Sequence, residues 1–232
     1  MPSIQHGSQD IETAARLLIQ SAESGETLSV RNGQLCKAGF GERANLAFRS
    51  VFQSKDGYYQ YLDRKNQEAI SSFIELCQQK SQIADRPATN SLIESRFQDV
   101  KNLTPVLSNH LLRGDVDGVL SIVTACFNKA NEAHVLADMQ IHDTQMQIDY
   151  INSLDVESKL AYINDETEPK NIEKERQDFL SIQKKLELGK TIAMENPECL
   201  SSPVIEKNLD QFIAATNDAL TKVSRLLDRF PP

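Results

Sequence analysis

A seven-residue, mostly apolar repeat runs through the C-terminal half of this chain. Leu120, Phe127, His134, Ile141 and Ile148 recur every seven residues, and Val123, Ala130, Ala137, Thr144 and Ile151 interleave with them. Residues so spaced share one stripe of a helix, and an apolar stripe needs a second helix to cover it. The spacing predicts one long helix from Val116 to Leu154. Ile172, Phe179, Leu186 and Ala193 repeat the period and predict a second, from Thr167-Glu168-Pro169 to about Glu195. A third, Pro203 to Phe230, carries Ile205, Leu209, Phe212, Thr216, Ala219, Val223, Leu226 and Phe230 at steps of four and three. A short helix is expected between Asp155 and Ile163. Long helices with short connections read as an antiparallel bundle.

The N-terminal part is helical with one exception. A helix is expected from about Asp10 to Glu23, capped by Ser8 or Asp10, with Ile11, Ala14, Ala15 and Leu18 on one face and Gly25 as its stop. Thr27 to Val30, Asn32-Gly33 and Gln34 to Cys36 read as a β-hairpin, because Asn-Gly suits a turn with positive φ at both positions. Two strands alone are marginal, so the hairpin must pack on a helix or pair with another chain. Helical pattern resumes from Glu42 to Ser54 (Leu46, Phe48, Val51, Phe52). It continues from Gly57 to Ile83 with Tyr58, Leu62, Ile70, Phe73, Ile74 and Cys77 inward. Arg86-Pro87 to Ser91 reads as a break. Beyond it, helices are expected from Asn90 or Ser91 to Leu103 and from Thr104-Pro105 to Leu112. The expected fold is mainly α: an antiparallel bundle of long helices in the C-terminal half (88–232), with an N-terminal helical subdomain (1–87) carrying one small β-hairpin at about 27–37.

Composition narrows the function classes. Nine Gly and eight Pro in 232 residues are too few for the turns of a β-sandwich. No apolar run reaches transmembrane length, so no membrane insertion is expected. The first thirty residues lack the basic and apolar regions of a secretory signal. Cys36, Cys77, Cys126 and Cys199 are widely spaced, which suits reduced thiols and a cytoplasmic setting. A net charge of −8 argues against a DNA partner.

Several motifs carry residue types capable of chemistry. Gly39-Phe40-Gly41-Glu42-Arg43-Ala44 fits the dinucleotide-binding pattern G-x-G-x-x-A, but Glu42 brings the wrong charge to an anion site and no βαβ unit follows. His142-Asp143, with His110 upstream and Asp149, Asp155 or Asp210 downstream, resembles superficially the metal-holding pattern of helical His-Asp phosphohydrolases. One dipeptide without their apolar context assigns no family. His134, Asp138 and His142 lie four apart and could share a helix flank suited to a divalent metal, yet no second helix offers a matching set. Nucleophile elbows and P-loops are absent. Tyr58, Tyr59 and Tyr61 are expected to face the core. The sequence thus assigns no catalytic residue, cofactor or metal.

Charge placement is the most distinctive remaining signal. Between Glu132 and Asp165 there are seven acids and one base, Lys159. A solvated helix ordinarily mixes in Lys and Arg at i+4. Asp138, His142, Asp143 and Asp149 are therefore the expected partner-binding residues, for a basic protein partner. The functional expectation is a non-enzymatic interaction, scaffolding or adaptor protein. The alternatives are a bacterial effector delivered without a Sec signal and acting on host proteins, and a metal-dependent hydrolase using His110, His134, His142 and Asp143.

Overall fold

The computed structural model describes residues 9–162, 169–202, 205, 208–230 and 232. The expected start of the second long helix at Thr167-Glu168, the end of the short helix at Ile163, the start of the last helix at Pro203 and a cap at Ser8 lie outside them. The described residues form ten α-helices, one 3-10 turn and one two-stranded antiparallel hairpin. The fold is mainly α with a small hairpin, as the periodicity implies. The chain divides into two compact units, residues 1–82 with 93–132, and residues 83–92 with 133–232. Residues 93–132 group with the N-terminal segment, and residues 83–92 with the C-terminal one.

In the first unit, α1 (Ile11–Ser24) is capped by the Asp10 carboxylate on the Thr13 N–H at 3.1 Å and closed by Gly25 at φ 68°. It buries Ala14, Ala15 and Leu18. Strands β1 (Leu28–Arg31) and β2 (Gln34–Lys37) close on Asn32 and Gly33 at φ 51° and 72°, the positive pair that a type I′ turn requires. Leu28 and Leu35 are buried, and the hairpin packs on α1 and on α3 (Lys55–Ser81). The Gln9 side-chain amide brackets the outer edge of β2, donating to the Leu35 carbonyl at 2.9 Å and accepting from its N–H at 2.7 Å. An edge strand whose free groups are occupied cannot template further pairing there.

Between hairpin and α3 runs α2 (Phe40–Phe52), which buries no residue. On α3, Ile70, Phe73, Ile74 and Cys77 are buried as expected, while Tyr58 and Leu62 are only half-buried. Most of α4 (Pro87–Lys101), α5 (Thr104–Arg113) and α6 (Val116–Asn131) complete this unit. Its core includes Leu18, Phe73, Phe97, Leu107, Val119 and Val123. All four cysteines are free thiols. Burial pushes Cys77 and Cys126 up to about 12, which leaves both unreactive at neutral pH.

The helix expected from Val116 to Leu154 is interrupted. It ends as α6 at Asn131 and restarts as α7 (Ala133–Ser153). At the junction the Glu132 N–H bonds the Lys129 carbonyl at 3.3 Å, and the Lys129 ammonium meets the Glu132 carboxylate at 3.1 Å. The two halves of the seam therefore belong to different cores. Leu120 and His134 are exposed and Phe127 half-buried, whereas Ile141 and Ile148 are fully buried.

The second unit is built on α7, α9 (Pro169–Glu195) and α10 (Leu209–Leu227), with the short α8 (Val156–Tyr162). Thr144 reaches the Lys185 carbonyl and Lys159 pairs with Glu175, so α9 runs back along α7 and α8. Lys190 bonds Asn217 while Phe179 stacks on Phe230, so α10 reverses again. The long helices are thus antiparallel in sequence order. Phe179, Leu186, Ile192, Phe212, Ala219, Val223 and Leu226 fill the space between them.

Residues 83–92 are fastened to the end of α9. The Glu195 carboxylate accepts the Ala88 and Thr89 N–H groups, both at 3.1 Å, and so caps the first turn of α4 from another helix. Fully buried Asn196 donates to the Thr89 hydroxyl and the Ile192 carbonyl and accepts from Arg86, whose other nitrogen meets Glu198 at 2.8 Å. This remote cap lets α4 begin at Pro87, a favoured first helical position, rather than at Asn90.

Candidate functional site

On α7 the inward face is Leu136, Ala137, Ile141, Thr144, Ile148 and Ile151, all buried. The outward face is not the plain charged surface that solubility alone would give. Val135, Met139, Met146 and Tyr150 are 45–53 % exposed and sit at i, i+4, i+11 and i+15. At about 100° per residue they fall within about 60° of one another, a narrow apolar stripe.

The four expected docking residues border this stripe. Asp138, His142 and Asp149 align along one margin, with Gln145 among them, and Gln145 donates to Asp149 at 2.7 Å. Asp143 lies about 100° around the helix from His142 and lines the other margin. His142 and Asp149 are exposed, Asp138 and Asp143 half-buried. Among the described residues none of the three aspartates is in an ion pair. Asp138 Oδ1 is buried and finds no hydrogen-bond partner among them. Together with desolvation, its charge raises the nearby Cys199 thiol. Two other acids of the run are neutralised locally, Glu132 by Lys129 and Glu157 by Arg225 at 2.6 Å, and Asp155 is engaged in capping α8 through Ser158. The unpaired charge is thereby concentrated beside the stripe. The heptad count passes over Val135, Met139, Met146 and Tyr150 because it follows the stripe expected to face the core; their own helical spacing is the available signal.

The remaining candidates resolve differently. Among the described residues no group of three or more His, Cys, Asp or Glu is placed to hold a metal. His110 is held by Asp115 at 2.7 Å at the α5–α6 corner, and its ring fills the space above Gly118. The Gly39–Ala44 segment is a helix entry whose anion site is already filled. Glu42 accepts from the Gly39 N–H at 2.9 Å, the Ser29 hydroxyl at 2.6 Å and Arg31 at 2.7 Å. These bonds hold its carboxyl down to about 2, with the Ser29 bond the largest cause. The Arg31 guanidinium also occupies the space above Gly39, where a dinucleotide motif would need its pyrophosphate. The tyrosine cluster is not core-facing: Tyr59 is 48 % exposed, and the Tyr61 ring has the guanidinium groups of Arg49 at 4.4 Å and Arg64 at 5.5 Å from its centroid.

Among the described residues no helix is long and apolar enough to cross a membrane. Compared with protein-family models, with curated proteins and with solved structures, the chain matches none.

Proposed function

We propose that this protein is a non-enzymatic docking protein whose α7 outer face receives a basic amphipathic helix from a partner protein. The observation that carries the reading is the exposed Val135–Met139–Met146–Tyr150 stripe, bordered on both sides by aspartates that form no ion pair among the described residues. A helix lying in a shallow apolar track is a recurrent recognition mode, with anchors at i, i+3 or i+4, and i+7. Methionine suits such a track, since its unbranched side chain adapts to the incoming surface. From Val135 to Tyr150 the stripe spans about 22 Å, enough for four turns of a partner. Lys and Arg flanking that partner's apolar face would meet Asp138 and Asp149 on one side and Asp143 on the other. The same field repels DNA and speeds encounter with a cationic protein.

The test uses a fluorescent amphipathic Leu/Lys peptide of helical periodicity, titrated by anisotropy with the full chain. Wild type is expected to bind, more weakly as salt rises past the range where charges about 8 Å apart are screened. Replacing Asp138, Asp143 and Asp149 together by Asn should slow association about tenfold or more at low salt. Met139→Ser with Met146→Ser should weaken binding at all salt concentrations. No binding by wild type, or equal binding by either variant, refutes the reading. Equal binding by the Ser variant would mean the peptide senses charge alone.

A further inference from the structure

A second face without a partner among the described residues lies on α2. Phe40, Ala44, Ala47, Phe48, Val51 and Phe52 fall within about 140° of the helix surface. Phe40 is 86 % exposed, Phe48 62 %, and Val51 and Phe52 each 73 %. The opposite side of the helix is fixed. Glu42 ties its first turn to the hairpin, Leu46 is half-buried, and Arg49 lies over the Tyr61 ring while bonding Asn45 and Gln53. The apolar side is thus turned outward by contacts on the polar side.

We infer that this face is covered by α2 of a second copy of the chain, paired antiparallel about a two-fold axis level with Leu46. The sequence of α2 is self-complementary in that register. Phe48 of one copy meets Ala44 of the other, Val51 meets Gly41, and Phe40 meets Phe52 at each end. Large side chains oppose small ones at the centre, where helices approach to about 8–10 Å, and aromatic pairs close the ends.

The area is sufficient for a reversible dimer. A Phe side chain offers about 150–250 Å², so the three at their observed exposures make up to roughly 450 Å² per copy available for burial. Doubled, with Val51 and the alanines added, the buried total passes the approximately 1,000 Å² that separates specific interfaces from incidental ones. An anionic lipid surface fits less well. The polar side of α2 carries Arg43 and Arg49 against Glu42, short of the four to eight basic residues such binding uses, on a chain of net charge −8.

The experiment is analytical ultracentrifugation of the full chain without detergent, from about 1 μM to about 500 μM, a range set by the weak affinity of small interfaces. Wild type is expected to be half dimeric between about 10 and 100 μM. Phe48→Glu, at an exposed position that should not disturb folding by circular dichroism, should weaken the dimer more than tenfold. Ala44→Phe alone should also weaken it, by setting Phe against Phe48. The exchange Ala44→Phe with Phe48→Ala swaps knob and hole and should restore dimerisation to within a few-fold of wild type. A wild type that stays monomeric throughout, a Phe48→Glu variant that dimerises normally, or an exchange variant no better than Ala44→Phe refutes the pairing. So does a monomer that sediments with phosphatidylcholine vesicles through Phe48, which would make lipid the occupant. Phe48→Glu should bind the Leu/Lys peptide as wild type does, so this inference and the α7 reading stand or fall separately.

Discussion

Replacing Glu42 by Gln should loosen the joint between the hairpin and α2, and the size and pH dependence of the loss follow from its bonds. Its carboxylate accepts from Ser29, Gly39 and Arg31 at 2.6, 2.9 and 2.7 Å. Three donors converging on a charged acceptor hold its carboxyl at about 2, below the ordinary 4.5. At face value that difference is worth about 3 kcal/mol. The side chain is still 36 % exposed, so solvent screening reduces the figure to about 1–2 kcal/mol. Because the folded value lies below the unfolded one, the stabilisation is fully present above about pH 5. It fades as pH falls from about 4.5 towards 2. Glu42→Gln keeps the shape but not the charge, so it should cost about 1–2 kcal/mol at pH 7 and less than half of that at pH 3. Amide exchange of the hairpin and α2 is the suitable readout, since a chain of two compact units need not unfold in one step. A cost below about 0.3 kcal/mol at pH 7, or a cost unchanged at pH 3, would show that the contacts do not stabilise this joint as argued.

Two further predictions concern the second unit. A Cβ at Gly189 would lie 1.7 Å from the Thr144 hydroxyl oxygen and 2.6 Å from its Cβ. Gly189→Ala should therefore destabilise by about 1–3 kcal/mol despite alanine's better helix propensity; Thr144→Ala should rescue it only in part, and urea melts of the single and double variants decide this. Asn196→Ala removes one of the partners of buried Thr89, of Arg86 and of the Ile192 carbonyl, so it should cost about 1–3 kcal/mol and raise amide exchange at Ala88 and Thr89; unchanged exchange there would show that Asn196 does not support the Glu195 cap.

Where a helix is covered on a single stripe, the sequence was readable. The α9 and α10 seams appear in the structure as the buried residues Phe179, Leu186, Ala193, Phe212, Ala219, Val223 and Leu226. The hairpin was readable because Asn32-Gly33 carries a backbone requirement in its side-chain chemistry. The break between α6 and α7 was not. Lys129-Ala130-Asn131-Glu132 contains neither Gly nor Pro, and the heptad count runs through it unbroken. The helix changes partners there, and partner identity is a tertiary property that periodicity does not encode. The start of α4 was misplaced for a related reason: its cap, Glu195, lies more than a hundred residues away in the chain.

The faces left outside the cores show the same limit from the other side. Both α1 and α2 are short amphipathic helices with apolar residues at helical spacing, yet α1 buries Ala14, Ala15 and Leu18 while α2 buries nothing. Periodicity states that a helix has two sides and does not state which side a neighbour holds. On α2 the neighbours hold the polar side, through Glu42 to Ser29 and Arg31 and through Arg49 to Tyr61. Charge-assisted bonds and a cation–π contact have set the orientation against the hydrophobic preference of the isolated helix. Leaving three phenylalanines in water still costs several kcal/mol relative to burying them. A monomer that keeps this arrangement is therefore under a standing pressure to cover α2, and pairing with a second copy relieves that pressure without breaking a single bond on the polar side.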